Sequence, residues 1–534
     1  MAPAHSTDTA RFWRAAGVMS IGTAVSRIAG LLRVAALTYA LGVTGTRLAD
    51  TYNLANTTPN IIYELFLGGI LTAVFIPVLV EARERDKGSK HATDGDSALV
   101  SVALIALAVL SVLAAVGAPL IMRIYTFRIA DPSTRAAQLE LATYLLRWFA
   151  PQIFFYGVWA IAQALLNLRG TFGPASFVPA LNNIVVAATF FAFARVAGAQ
   201  SLDLSSGAKA LLGAGTTAGV VVQAISLFPY LRRERIRFRP KFSDPAVTKM
   251  FRLAAFVAGY VVINQIGLWV VLALANGETG GVTSWQVAYI FFQLPHGLFA
   301  VSIYTALFPD LSRAATTRNW DAYREGFARG VRGIAFLLVP AAIGYGLLAD
   351  PIARLLLARG VADARDAAAV ASVLKGFAWS LVFFSTFQLL TRCFYALSDA
   401  RTPTTLNAAA VGVNIAVNIP LYAWLGVRGL AYGHAIAYAV GVLLLVMVLD
   451  RKVPGGLVPR VLIGPLLRIS AAGAGMGICV WALTRAVRSP DVLLVGASVG
   501  AGAILYLAFS QVAGVGERSI LLDPLGRSLR GGRK

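Results

Sequence analysis

The sequence predicts an all-α polytopic membrane protein with about 14 transmembrane helices. Three features predict this fold class: an apolar composition, apolar runs that recur from Trp13 to Gly514, and an internal repeat. Of the 534 residues, 57% are hydrophobic and only 13% are charged, and the mean hydropathy is +0.70. Soluble domains carry about 25% charged residues. A helix of about 20 apolar residues crosses the hydrocarbon of a bilayer, so each run is a candidate span.

The first apolar run follows the polar segment MAPAHSTDTARFWR and predicts a helix from about Phe12 to Leu41. It has no small-residue cleavage site after a short apolar core, so we expect it to remain in the mature protein. Cys393 and Cys479 both lie inside apolar runs, which indicates neither a disulfide framework nor a metal site. No catalytic dyad and no nucleotide-binding loop follow a predicted strand. We therefore expect no cofactor and no enzymatic activity.

The net charge of +22 is distributed as membrane topology predicts. Basic residues concentrate in alternate loops, and such loops face the cytoplasm, so both termini are expected there. This distribution also argues against a nucleic-acid partner. Two basic segments on the opposite side weaken the contrast: MRIYTFRIADPSTR and TRAVRS.

Three pairs of similar segments indicate an internal duplication. Their prolines are 236, 232 and 229 residues apart: Pro59 and Pro295, Pro119 and Pro351, Pro174 and Pro403. The predicted domains are an N-terminal lobe of six helices (1–240), a C-terminal lobe of six (241–455), and two added helices with a basic tail (456–534). A pseudo-two-fold axis along the membrane normal should relate the lobes. Prolines that collect at helix ends by chance are the alternative.

Polar residues recur at helical spacing on the second predicted helix. They are separated by three and four residues and share one face: Asp50, Asn53, Thr57, Asn60 and Glu64. A shift of 236 gives polar residues on the eighth helix as well: Gln286, Tyr289, Gln293 and His296. Because polar groups are costly in hydrocarbon, both faces should point inward and line a central cavity between the lobes. Hydrogen bonds that hold the bundle together are the alternative.

Two arginines lie in the first apolar run, within AVSRIAGLLRVAALTYALG. Arg27 is near the midpoint of the predicted helix, and Arg33 lies about 9 Å further along, rotated by about 120°. A stripe of small residues suits close helix packing and leaves the arginines on other faces: Gly22, Ser26 and Gly30. One interpretation of Arg27 is an ion pair with Glu64 or Asp50. The other is capture of an anion, since a guanidinium donates two parallel hydrogen bonds to a phosphate.

These residues and their neighbours resemble a known family, the MurJ (MviN) lipid II flippases of the MOP exporter superfamily. The matching segments span the twelve repeated helices: AVSRIAGLLR, Ala49–Asp50, the stretch from Pro59 to Leu79, LPHG with LFPDLSR, the stretch from Ala164 to Asn182, and FYALSDARTP. The resemblance implies a two-lobe fold with a lipid groove along the last two helices. It also implies that Arg27, Arg33 and Asp50 occupy essential cavity positions.

The same resemblance implies a substrate and a location. The family moves lipid II, a polyprenyl pyrophosphate carrying the peptidoglycan disaccharide-pentapeptide, from the inner to the outer leaflet of the bacterial cytoplasmic membrane. The implied partners are lipid II and membrane lipids, and cell-wall synthesis proteins are further candidates. Alternating access, with the head group in the cavity, would carry the transport.

Two positions depart from the family pattern. After the motif PNLL, Gram-negative members have an arginine, whereas this chain has Tyr63 and then Glu64. Before the proline of the eighth helix, Gram-negative members have an arginine and a glutamate, whereas this chain has Ile290 and Gln293. The cavity should therefore be less basic, and IIYELFLGG resembles an actinobacterial version. Where some members bind sodium, this chain has only neutral oxygens, so no metal is expected: Asn264, Asn414 and Asn418.

Two other functions stay open at this point. A related exporter could carry another polyprenyl-linked saccharide or a cationic drug, although a drug exporter should prefer carboxylates over the central arginines. A membrane scaffold that transports nothing would explain the hydrophobicity but not the two polar faces.

Overall fold

The computed structural model describes residues 5–64, 78–81, 94–169, 171, 173–197, 201–232, 237–457, 460–486 and 490–518. Throughout these residues the regular elements are helices, without a strand, which confirms the all-α prediction. Twelve helical stretches of the described chain are long and apolar enough to cross a membrane. Residues 65–77 and 82–93 lie outside the described residues, and the count of 14 stays a prediction.

The contacts divide the chain into two units. Unit 1 comprises residues 1–282 and 359–363. Its helices are α1 (His5–Leu41), α2 (Leu48–Tyr63), α3 (Asp94–Val116), α4 (Ala118–Thr126), α5 (Pro132–Phe149), α6 (Pro151–Leu168), α7 (Gly173–Val196), α8 (Ser206–Ile225), α9 (Phe228–Leu231) and α10 (Pro245–Ala275).

Unit 2 comprises residues 283–358 and 364–534. It contains α11 (Gly281–Pro295) from residue 283 onward and a π-helical segment, His296–Ala300. Its other helices are α12 (Val301–Thr316), α13 (Trp320–Leu357), α14 (Ala364–Ala396), α15 (Arg401–Leu425), α16 (Val427–Lys452), α17 (Arg460–Ala486) and α18 (Asp491–Val512). The predicted domain ranges describe a duplication rather than contacts, and they stay predictions.

The stripe of small residues on α1 packs against α7, as predicted. A Cβ placed on Gly22 would lie 2.7 Å from Ser176 Cβ. Asn183 Nδ2 donates a hydrogen bond to the backbone oxygen of Ser26 at 3.3 Å. Small residues allow two helices this approach. The stripe thereby fixes α1 on α7. At about 100° per residue, Arg27 lies about 100° from the centre of the stripe, whereas Arg33 lies within about 20° of it. The expectation that the arginines occupy other faces therefore holds for Arg27 and is wrong for Arg33.

The prolines of the proposed repeat differ in how closely their surroundings match. Pro174 and Pro403 both lie in the first turn of a helix, α7 and α15, where the missing N–H costs least. Pro119 also lies in a first turn, that of α4, whereas Pro351 lies inside the continuous α13. The duplicated pattern is therefore interrupted by a helix break in one copy only.

The last two helices pack on α13 in unit 2. Gly473 and Gly477 face it closely, since a Cβ on Gly477 would lie 2.8 Å from Ile343 Cγ2. The Tyr506 hydroxyl donates to the backbone oxygen of Phe336 at 2.8 Å. The predicted ends, near 461 to 487 and 492 to 513, agree with α17 and α18 to within about a residue.

Candidate functional site

The two arginines of α1 differ in their surroundings. Arg27 is exposed and Arg33 is half-buried. The Arg33 charge is close enough to act on the hydroxyls of Tyr52 and Tyr156, on α2 and α6. Within the described part of the chain, neither guanidinium is paired with a carboxylate. The ion pair of Arg27 with Glu64 or Asp50 is therefore not formed, and both cations are available to an anion.

Asp50 begins the polar face of α2 and is fully buried. Its Oδ2 accepts a hydrogen bond from the backbone N–H of Gly280 at 2.7 Å. Gly280 has a φ of +79°, and a Cβ on it would lie 2.6 Å from the backbone oxygen of Val43. Only glycine fits such a backbone at such a distance. The carboxylate thus holds the loop after α10 onto the start of α2.

Neighbouring side chains in unit 1 strengthen this attachment. Arg47 Nη1 donates to the backbone oxygen of Asn276 at 2.8 Å. The Asn276 amide donates to the backbone oxygen of Tyr125 and accepts from Gln138 Nε2, both at 3.0 Å. Buried polar groups satisfied in this way hold one arrangement. These partners lie up to 229 residues apart, so no spacing in the sequence could have indicated them.

The remaining polar residues of α2 become more accessible along the helix. Asn53 is buried, Thr57 and Glu64 are half-buried, and Asn60 is exposed. Glu64 is already in π-helical geometry. At the start of α2, Asp50 thus stabilises the fold through its hydrogen bond to Gly280. At the end of α2, the Asn60 amide and the Glu64 carboxylate are accessible.

The polar residues of α11 have partners within unit 2. Gln293 Nε2 donates to the Tyr289 hydroxyl at 2.7 Å. His296 is buried, and its Nδ1 lies 2.9 Å from the Ser385 hydroxyl. Gln286 is half-buried. For His296 in particular, the observed contact agrees with the alternative of hydrogen bonding between helices.

His296 also begins the π-helical segment, immediately after Pro295. A proline removes one backbone hydrogen bond, and π-helical turns inside α-helices occur frequently at functional sites. Pro295 is the one signal in the sequence that could have indicated this local change in the helix.

An aromatic cluster surrounds a second histidine that the sequence analysis did not single out. His434 Nδ1 lies 2.6 Å from the Ser380 hydroxyl. Four rings from α11, α14 and α16 lie with centroids 4.6 to 5.6 Å from its ring: Phe292, Phe377, Phe384 and Tyr438. This cluster packs α11 against α14 and α16.

An apolar cavity of about 400 Å³ lies in unit 2 between α13, α14 and α17. Trp379 and Phe383 form part of its lining, and Ser470 supplies the only polar side chain among the described residues that line it. On the last two helices, where the resemblance implies a lipid groove, Gly496 and Gly500 have open space around them, whereas three other glycines pack on neighbours: Gly473, Gly475 and Gly477.

Within the described residues, no group of three or more His, Cys, Asp or Glu side chains could hold a metal ion. Asn418 Nδ2 donates to Asn414 Oδ1 at 3.0 Å, so these two amides bind one another. The prediction that no metal or cofactor is bound stays a prediction.

Comparison with known proteins gives a consistent result. A family model described as "Lipid II flippase MurJ" matches residues 37–496. A probable lipid II flippase MurJ of Rhizobium tropici is 29% identical over 509 residues, which cover 94% of this chain and 88% of the relative. One from Vibrio cholerae is 27% identical over 529 residues, covering 95% and 97%.

A solved structure shares the fold. A lipid II flippase MurJ in an inward closed conformation superimposes with a TM-score of 0.76 at 22% identity, covering 95% of this chain and 99% of that one.

Proposed function

Because the chain belongs to the lipid II flippase MurJ family, we propose that it moves lipid II from the inner to the outer leaflet of the bacterial cytoplasmic membrane. Lipid II, the lipid-linked precursor of peptidoglycan, is then its substrate, and transport proceeds by alternating access without catalysis. The basic loops support cytoplasmic termini. Cell-wall synthesis proteins are the macromolecular partners that this role would require.

The observation that carries the site is the placement of the α1 arginines. Arg27 is exposed and Arg33 half-buried on a helix whose small-residue face is occupied by α7. Cations within a membrane span are costly unless they face a wet cavity or a partner. A pyrophosphate is such a partner, and each guanidinium can donate two parallel hydrogen bonds to it. Arg27 and Arg33 therefore bind the pyrophosphate of the head group.

The polar side chains of α2 and α11 contribute to head-group binding in different ways. Asn60 and Glu64 offer accessible groups that contact the substrate directly. Gln286 and Gln293 supply neutral amides, with Gln293 already oriented by Tyr289. Asn53, Thr57 and His296 support these positions. Asp50 acts as a positioning residue because its carboxylate holds Gly280.

The apolar cavity of unit 2 suits the lipid tail. It is lined by apolar side chains at mid-length of α13 and α14, so hydrocarbon can occupy it at a low cost. Gly346 lines the cavity and has open space around its Cα. Gly346→Leu should fill it and reduce lipid II transport. Gly412→Leu, at an equally open position on α15, is the matched control and should transport normally.

A related exporter is the second candidate. A multidrug resistance MATE family transporter of the MOP superfamily, in an inward-facing conformation, superimposes with a TM-score of 0.65 at 15% identity, covering 80% of this chain and 95% of that one. That likeness concerns the fold. The two unpaired arginines favour an anionic substrate over a cationic drug.

The test is rescue of a bacterium depleted of its own flippase. With this gene supplied, we expect growth and normal exposure of lipid II on the outer surface. Continued accumulation of lipid II in the inner leaflet, at a normal amount of the protein in the membrane, would contradict the proposal. It would favour another substrate or a scaffold.

A further inference from the structure

The short helix α4 follows the membrane span α3 after one residue, and the next span begins with α5. Residues 117–131 therefore lie at the boundary between hydrocarbon and water. This segment contains part of the basic sequence MRIYTFRIADPSTR. That sequence is an exception to the general pattern, because it lies on the side of the membrane where loops have few basic residues.

One face of α4 is fixed to unit 1. Ala118, Met122 and Tyr125 are buried. The Tyr125 backbone oxygen accepts the hydrogen bond from Asn276, and α4 packs on α5 and α10. The helix is thereby held in one orientation about its axis.

The opposite face is apolar and uncovered within unit 1. Leu120, Ile124 and Phe127 are 65%, 42% and 57% exposed. They lie four and three residues apart, which places them in one stripe about 60° wide. Phe127 directly follows α4 and keeps its helical backbone angles.

Two cations lie beside this stripe. At about 100° per residue, Arg123 is about 70° from its centre, and Arg128 lies in the turn that directly follows Phe127. Both are exposed. The segment has one carboxylate, Asp131, whose Oδ2 accepts from the Thr134 N–H and the Ser133 hydroxyl at the start of α5, both at 2.7 Å.

An apolar stripe bordered by cations is typical of a helix that lies in a membrane surface. The last turns of α3, which lead into α4, also expose apolar side chains: Val112, Leu113 and Val116. Apolar side chains can enter the acyl region from this position while the guanidinium groups remain at head-group depth. The phosphate of an anionic phospholipid carries the charge opposite to theirs.

We propose that α4 is an interfacial helix and that Arg123 and Arg128, beside its apolar stripe, bind the phosphate groups of anionic phospholipids. This site is separate from the arginines of α1 and does not depend on the identity of the transported lipid. It accounts for two basic residues in a loop of the side that is otherwise poor in them.

The test uses the purified full-length protein in nanodiscs with equal amounts of phosphatidylglycerol and phosphatidylcholine, followed by mass spectrometry of the retained lipid. Wild type should retain phosphatidylglycerol preferentially. Arg123→Gln and Arg128→Gln should each reduce that retention about 5-fold. The double lysine variant should retain it, since a point charge suffices for a phospholipid phosphate.

Arg135→Gln is the matched control, because it removes an equal charge from an exposed position outside the stripe. It should retain phosphatidylglycerol as wild type does. An equal loss in Arg135→Gln and Arg123→Gln would overturn the proposal, because net charge would then explain the binding. Unchanged retention of phosphatidylglycerol in the double variant Arg123→Gln, Arg128→Gln would also overturn the proposal. So would a wild-type protein that retains a polyprenyl pyrophosphate but no phosphatidylglycerol.

Discussion

The polar faces of α2 and α11 have nearly the same spacing but different surroundings. In unit 1, α2 is tied at its start through Asp50 and presents Asn60 and Glu64 at an accessible surface further along. In unit 2, α11 is surrounded by aromatic rings, and Gln293 and His296 already have hydrogen-bond partners. Arginines at membrane depth accompany α2, whereas Ile290 stands on α11 where an arginine was expected.

A similar polar spacing thus defines one face on each helix without giving the two faces the same surroundings. Spacing determines which residues share a side of the helix. The partners of those residues depend on the helices that pack there. These surroundings are the basis for our proposal that unit 1 recognises the charge of the head group and unit 2 supplies neutral contacts.

Substitution of the α1 arginines in unit 1 should reduce activity more than any other change. Arg27→Lys and Arg33→Lys should reach the membrane in normal amounts but lose most of their ability to rescue a flippase-depleted bacterium, because lysine cannot donate the paired hydrogen bonds. Arg27→Ala should lose all of it. Growth is the readout, and Gln293→Ala in unit 2 is the control that should retain most activity. Normal growth of Arg27→Ala, Arg33→Ala and their double variant would make the two charges structural.

A second prediction concerns the tie at the start of α2. Gly280→Ala should lower the free energy of unfolding by about 2 kcal/mol, since alanine is strained at positive φ and its Cβ would meet the backbone oxygen of Val43. Asp50→Ala should cost about 1–3 kcal/mol by leaving a buried N–H without its acceptor. Thermal unfolding of the purified protein measures both. Gly496→Ala should change the free energy of unfolding little, because Gly496 has open space around it. If Gly496→Ala destabilised the protein as much as Gly280→Ala, the contact of Gly280 with Val43 would not explain the loss.

A third prediction tests the rigidity of unit 2. His296 and Ser385 should show a coupling energy of about 1 kcal/mol in a double-mutant cycle of His296→Ala and Ser385→Ala. Additive losses would mean that the observed hydrogen bond contributes nothing, and His296 would then be open to a direct role with the substrate.

The smallest effect is a pH dependence at the turn before α15. Burial raises the pKa of Asp399, but hydrogen bonds from Lys452 and Thr402 outweigh it and lower the pKa to about 2. Because the folded pKa is below the unfolded value of about 3.9, the stabilisation is present at neutral pH and is lost as the pH falls from about 4 to about 2. Wild type should be more stable than Asp399→Asn at pH 6, and the two should converge near pH 2. If the difference in stability between wild type and Asp399→Asn were the same at pH 6 and pH 2, ionisation of Asp399 would not be its cause.

Much of the fold followed from local sequence. The stripe of Gly22, Ser26 and Gly30 predicted close packing, and its partner proved to be α7. The ends of the last two helices followed from where apolar runs stop. These features depend on residues that are near one another in the chain. Composition and spacing therefore predict them directly.

The contacts of the site did not follow in the same way. Asp50 was expected among the substrate-binding residues, yet its observed partner is a backbone N–H 230 residues away. His434 and Ser380 came together only through packing of α14 and α16. A periodic pattern identifies a face, and the partner across it depends on tertiary structure.

The most direct test of the central claim is the affinity of the purified protein for lipid II, measured in parallel for wild type, Arg27→Lys, Arg33→Lys and Gln293→Ala. If the α1 guanidinium groups bind the pyrophosphate through paired hydrogen bonds, each lysine variant should bind about 10- to 100-fold more weakly, and Gln293→Ala should bind within about 10-fold of wild type. Equal affinity of wild type and both lysine variants would contradict the account.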